Sequence, residues 1–557
     1  MDSPDIIWEI VGKYSKNHVF GLPGAPLCKL MNRIPNHIRW TNLGIELQDG
    51  FCSQFYAMFA NSVGTLFTTS GPGIGTSLSS LQNAIVEQNP LVLISTYDST
   101  LPSGDFQQWD ALHIGQAITD NVFYIESADD VVLKLHQAYR IARNYMTGAL
   151  VLIKPVVFTQ TIPPLNMIAP PEEVETFTDV QDYLSTFNNQ KLLVILGKYR
   201  ASDHNAIKNF IMRNNIPYVT SWACRVIIPN AQYCGRVGTL GNHGANYAAY
   251  HATHILIIGS VSGDLIGSTE TKFSVILTAK TADICTIAYN NTIENMKEST
   301  VFRASYMGQA LNNINIRPTS EWVDTLTNSN ARLSHILPRK SELEQYAFIA
   351  SKVYDAHNLT IPVTTGVGNH WYAIGKYMNI RKSNRWMSSA AWASIGIGMA
   401  SGIAIYHALK TPVWVFEGDG GFIFSAGNLA YLLQRANMPI TVTVFINHIY
   451  AAVSSTYDID QMENANNKTN TVSHIQPFIK MLPNVLIFDN PTDYNDYLIR
   501  NPISNTLRFI IIKQSSSTVA NNVFEINADA DYIRFLKNSR FRKIKAMSQV
   551  LRCDYPN

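Results

Sequence analysis

The sequence predicts an α/β architecture of three doubly wound, parallel-sheet domains, on three observations. Strand-like apolar runs alternate with helix-period segments along most of the chain. The alternation falls into three blocks, separated by polar or Pro-containing stretches. At 557 residues, the chain is too long for a single core. Strand–helix alternation implies parallel pairing, with crossover helices on both faces of each sheet.

The first block opens with an amphipathic helix over 6–15 and a strand at 19–22. A helix over 47–60, a strand at 64–69, a helix over 77–88 and a strand at 91–95 follow. A helix over 131–145 and a strand at 149–153 close it, and the Pro-containing stretch 155–173 reads as a linker. The second block runs from an apolar strand at 191–197 through a helix over 205–214 and strands at 218–220 and 254–258, ending near 292. A polar, irregular segment then reaches to about 340. The third block extends from a helix over 342–353 to a strand at 509–512, and a basic, partly helical tail over 532–551 ends the chain. The first and third blocks share a plan.

Composition excludes several function classes. Lys+Arg 43 against Asp+Glu 41, with no basic run or basic–aromatic stripe, argues against nucleic acid as a partner. The six cysteines (28, 52, 224, 234, 285 and 553) are scattered without metal-ligand spacing, so buried reduced thiols are expected. The apolar run 395–409 is interrupted by Gly396, Gly398 and Gly402, so no membrane span is expected. The start of the chain is acidic and lacks the features of a signal or transit peptide, which predicts a cytoplasmic protein.

The chemistry concentrates in Val415-Phe416-Glu417-Gly418-Asp419-Gly420-Gly421 and the later Phe445-Ile446-Asn447. The glycines let backbone approach an anion, and a helix beginning there would turn N–H groups and its positive dipole end toward a diphosphate. Asp419 suits a hard divalent ion, and the neutral oxygen of Asn447, on the next strand, can complete a Mg²⁺ shell. Either piece alone is an ordinary turn; together they make a metal–diphosphate hypothesis. No GxGxxG opens a helix after the first strand of any block, which argues against a dinucleotide oxidoreductase.

Further fragments fit one ordered pattern: Phe20-Gly21-Leu22-Pro23-Gly24-Ala25, Gly44-Ile45-Glu46, Thr69-Ser70-Gly71-Pro72-Gly73 and Phe106-Gln107-Gln108-Trp109-Asp110. Gly235 to Gly241, Gly366-Val367-Gly368-Asn369-His370-Trp371, Trp386-Met387-Ser388-Ser389 and Gly396-Ile397-Gly398 continue it. In this order the chain resembles the thiamine-diphosphate-dependent enzymes of the acetolactate synthase-like (large catalytic subunit) branch. The resemblance implies a pyrimidine-binding domain over 1–165, a central domain over 185–320, a diphosphate-binding domain over 341–520 and a C-terminal tail over 521–557. It further implies a homodimer or dimer of dimers, with the cofactor between the pyrimidine domain of one subunit and the diphosphate domain of another.

The resemblance also implies roles. Glu46 would hydrogen-bond the aminopyrimidine and favour the tautomer that activates C2–H; it should be well buried, with a raised pKa. Read alone, it is a helix-start Glu favoured by the dipole. Asp419, Asn447 and the backbone carbonyl of Ile449 would hold Mg²⁺ together with diphosphate oxygens. Pro23, Gly24, Gly368, Asn369, His370, Gly418, Gly420 and Gly421 would line the cofactor, although His370 by itself reads as a structural histidine. Ala393 and Ile395 would meet the pyrimidine edge, Ile395 as the apolar wedge under the bent cofactor or, read alone, as a core residue. Gln107 would reach the substrate.

The implied reaction is decarboxylation of a 2-oxo acid, pyruvate first, with transfer of the acyl carbanion equivalent to an acceptor. Acetolactate formation is the nearest description. Another acceptor, C–C hydrolysis, or a non-catalytic homologue acting as a binding or scaffold protein are the alternatives. The chain departs from the family at Ile45 (usually His), Ile446 (usually Asn) and Val261, where an acceptor-binding Arg is expected; this last change leaves FAD doubtful. Ala452 and Thr456 replace the usual pocket Met and Trp, and His113 stands without the His-His pair of simple pyruvate decarboxylases.

Overall fold

The computed structural model describes residues 1–102, 104–163, 177–224, 226–229, 231–238, 241–261, 282–289, 299–333, 342–380, 385–454, 472 and 475–514. Most of the expected linker, the tail over 521–557 and Thr456 lie outside them.

Among the described residues eighteen strands form three six-stranded sheets in which every pair is parallel. The first holds β1 (His18–Leu22), β2 (Arg39–Thr41), β3 (Gly64–Thr68), β4 (Leu91–Thr96), β5 (Val122–Ile125) and β6 (Gly148–Ile153), in the order β2-β1-β3-β4-β6-β5. The second holds β7 (Leu192–Leu196), β8 (Tyr218–Thr220), β9 (Tyr233–Arg236), β10 (His254–Ile258), β11 (Asp283–Ala288) and β12 (Ser299–Arg303), ordered β12-β11-β10-β7-β8-β9. The third holds β13 (Val363–Thr365), β14 (Trp386–Met387), β15 (Val413–Gly418), β16 (Ile440–Ile446), β17 (Leu486–Phe488) and β18 (Arg508–Lys513), ordered β14-β13-β15-β16-β18-β17. The first and third sheets therefore have one winding order, as their shared sequence plan predicts. The second has the dinucleotide-fold order 3-2-1-4-5-6 in its own count.

The sequence dictates this layering. β4, β6 and β16 are buried at every position, so they read as continuous apolar runs covered on both faces. One core, containing Trp8, Val92, Ile94, Tyr139 and Val151, fills one side of the first sheet. Another, containing Leu66, Leu81, Leu93 and Leu150, fills the other. Truncating such a Leu to Ala costs about 2–5 kcal/mol.

The segment expected to be irregular after residue 292 instead holds β12 and helices Met307–Leu311 and Ser320–Leu333. The long helix is anchored by Trp322 and Leu326, four residues apart, on the second core. Its other face is polar, which masked the period. The chain forms two compact units. One comprises residues 1–176 together with Ala400–Lys410 and Ser425–Arg435; the second and third sheets belong to the other. Among the described residues no helix is long and apolar enough to cross a membrane.

Candidate active site

In an open parallel sheet, connections leaving two adjacent strands in opposite directions leave a crevice at the carboxyl ends. In the third sheet this point lies between β13 and β15. Gly366 to His370 follow β13, Gly418 ends β15, and Asn447 follows β16. The family-implied diphosphate and metal residues thus share one crest.

Their geometry is compact. The Asp419 carboxylate accepts N–H bonds from Asn447 (3.1 Å), His448 (2.7 Å) and Gly420 (2.9 Å). Burial pushes its pKa up, while these bonds oppose the shift. Asn447 Oδ1 accepts the N–H of Ile449 at 3.0 Å, closing a tight turn whose middle residue, His448, sits at φ 64°. Carboxylate, amide oxygen and the Ile449 carbonyl are all hard oxygen donors, as Mg²⁺ requires. Among the described residues no group of three or more His, Cys, Asp and Glu could hold a metal, so such an ion would need oxygens from a ligand as well. The helix expected after the Gly-Asp-Gly turn is short, Asp419–Phe424, and its Gly420 N–H is taken by Asp419. The nine-residue helix Asn369–Tyr377 opens beside it.

Beneath this crest lies a group the sequence reading missed. Glu417 is fully buried at the end of β15, and burial raises its pKa to about 8. Its Oε2 accepts the N–H of Gly398 (3.1 Å) and its Oε1 that of Gly418 (3.3 Å). A side chain at Gly366, Gly398 or Gly421 would overlap this carboxyl. The His370 ring stands 3.9 Å from Oε1, and burial lowers its pKa to about 3. Burial disfavours the charged form of both groups, which argues against an ion pair at this contact. His370 stacks near Phe445 (6.1 Å, 20°), behind the glycines rather than at the surface. The available signal was an acid inside an otherwise apolar strand.

Ala393 is held at φ 55° by its N–H bond to Ser389 Oγ (2.8 Å). Ile395 is partly buried, between a core position and a free wedge. Non-glycine residues at positive φ outside helix ends mark strain that the surrounding structure imposes.

The crest of the first sheet gathers Pro23, Gly24, Glu46 and Gln107. Pro23 and Gly24 follow β1, where a side chain on Gly24 would overlap the Thr69 hydroxyl. Gln107, at φ 59°, accepts hydrogen bonds from Thr69 Oγ1 (2.9 Å) and Ser70 Oγ (3.3 Å) through Oε1. Glu46 begins helix Glu46–Ala60 and accepts a bond from Thr76 Oγ1 at 3.1 Å. The expectation that Glu46 is well buried is not met within one chain: it is half-exposed, because helix burial begins at Gln48. The buried acid of this helix is Asp49, one turn on, whose pKa burial raises to about 8. Val261 packs against the second core, and Ala452 is partly buried.

Both crests lie within segments that match known domains. Residues 1–114 match the thiamine pyrophosphate enzyme N-terminal TPP binding domain, and residues 366–490 the C-terminal TPP binding domain. The acetolactate synthase large subunit of Lactococcus lactis is 22% identical, covering 77% of this chain and 78% of that protein. The Escherichia coli acetolactate synthase isozyme 3 large subunit is also 22% identical (79% and 81%). Acetolactate synthase 2, chloroplastic, of Brassica napus is 24% identical (80% and 75%). The chain thus carries the N- and C-terminal TPP binding domains of thiamine pyrophosphate enzymes and is acetolactate synthase-like.

Proposed function

We propose that the chain uses thiamine diphosphate with Mg²⁺ to decarboxylate a 2-oxo acid, pyruvate first, and passes the acyl carbanion equivalent to an acceptor. The carrying observation is the crest where Asp419 accepts the N–H groups of Asn447 and His448 while Asn447 turns back onto Ile449. There Asp419, Asn447 and the Ile449 carbonyl would hold the ion. Gly368, Asn369, His370, Gly418, Gly420 and Gly421 shape the bed for the diphosphate.

When bound, the thiazolium supplies the electron sink that decarboxylation requires. Glu46 would hold the aminopyrimidine and its proton, with Pro23 and Gly24 at the margin of that crest, and Ala393 and Ile395 would meet the pyrimidine from a second subunit. Gln107 spends its side-chain oxygen on Thr69 and Ser70, so it offers a substrate its amide N–H₂. A homodimer or dimer of dimers completes the site.

The acceptor need not be a second pyruvate. Val261, where an acceptor-binding Arg is expected, packs on the apolar core of the second sheet and cannot pair with a carboxylate. This favours a neutral carbonyl acceptor, or C–C hydrolysis, and argues against FAD at that stretch. Labelled pyruvate with a panel of acceptors, read by mass spectrometry, tests this: acetolactate as the sole product removes the alternative acceptor. Thermal-shift titration with thiamine diphosphate and Mg²⁺ tests cofactor use. Binding without carbon dioxide release would mark a non-catalytic homologue.

A further inference from the structure

The carboxyl of Glu417 is the common contact of three chain segments. Gly366 lies after β13, Gly398 in the helix Ile397–Leu409, and Gly421 in the helix Asp419–Phe424. A Cβ at any of them would overlap the carboxyl oxygens. The same oxygens accept the N–H groups of Gly398 and Gly418. These segments approach one another only because the side chains are absent on their side and a carboxyl fills the gap. Burying an acid there is costly unless backbone donors satisfy it, as they do here.

We propose that Glu417 is a positioning residue: its carboxyl is the internal template on which the 366, 398 and 418–421 segments close, fixing Asp419 and the glycine bed for the diphosphate. It is fully buried beneath the glycines and acts through the backbone it gathers. This rests on the cofactor reading above.

Two consequences distinguish a template from a generic core residue. Shape and acceptors both matter, so Glu417→Gln, which keeps the volume but turns its N–H₂ toward one backbone N–H, loses less than Glu417→Ala or Glu417→Asp. Glu417 and Gly421 also compete for one space, so Gly421→Ala is more harmful with Glu417 present than without it.

The test is the Kd of thiamine diphosphate at saturating Mg²⁺, read by tryptophan fluorescence, with Mg²⁺–inorganic diphosphate as competitor and the melting temperature of the cofactor-free protein measured alongside. Expected results are about tenfold or greater weakening for Glu417→Ala and Glu417→Asp, for both ligands. Glu417→Gln should weaken binding less than either of these, and Gly421→Ala should weaken binding less in the Glu417→Ala background. Glu417→Asp serves if Glu417→Ala does not fold. Wild-type affinity in the folded Ala or Asp variant overturns the proposal, as do defects of Glu417→Ala and Gly421→Ala that simply add. Wild type that binds neither ligand sinks the cofactor reading itself, a different failure.

Discussion

The first and third sheets are wound in the same order, yet their crests have opposite chemistry. The third presents backbone, glycine and one buried carboxylate at its switch point, with Glu417 hidden beneath. The first presents side chains: Gln107 tied to two hydroxyls, and Glu46 half-exposed at a helix start. One topology thus provides either a rigid bed for an anion or a set of directional hydrogen-bonding groups. Winding fixes where a ligand can lie, and the loop residues decide what it can be.

If that division is right, the two crests separate under mutation. Asp419→Ala, on the third, should weaken thiamine diphosphate–Mg²⁺ binding by roughly two to three orders of magnitude, erasing the ligand-induced thermal shift. Glu46→Gln, on the first, should leave that shift in place while carbon dioxide release from pyruvate falls by about 10²–10⁴-fold. Turnover unchanged in Glu46→Gln would remove its assigned role. Gln107→Ala should lower kcat/KM for the 2-oxo acid by about tenfold with little change in cofactor Kd. An equal loss in both quantities would blur the two crests.

The smallest effect concerns pH. Burial lowers the pKa of His18 to about 4 and of His407 to about 3, with Lys410 adding to both shifts. The rings meet edge to face at 5.0 Å; His18 bonds Thr41 and His407 bonds Tyr431. Such histidines are neutral when folded, so the unfolded chain binds more protons below its ordinary pKa of 6.5. Their contribution to stability is complete above 6.5 and is lost as pH falls toward 4. The cofactor-free melting temperature should drop through that window, less steeply in His407→Gln. A flat profile would contradict the neutral pair.

Much of this was legible in the sequence. The buried strands were, since two covered faces leave no polar period, and so was the position of Asp419 and Asn447 directly after two strands, because glycine flanks and strand ends are local features. Glu417 was not. An acid on a strand resembles a strand end, and only tertiary structure brings Gly366, Gly398 and Gly421 around it. Nor did the sequence show that burial falls on Asp49 rather than Glu46, one turn away on the same helix. The Ser320–Leu333 helix was hidden because few apolar anchors interrupt its polar face.

The first compact unit borrows Ala400–Lys410 and Ser425–Arg435 from far along the chain, and Asn428 donates to Gln48 at 2.7 Å across 380 positions. A nascent N-terminal third leaving the ribosome therefore lacks the helices that cover His18 and Gln48. Its folding must wait for synthesis past residue 435, about 13–50 s after residue 176 at ordinary translation rates. Over that interval the half-made unit is a natural client for chaperones.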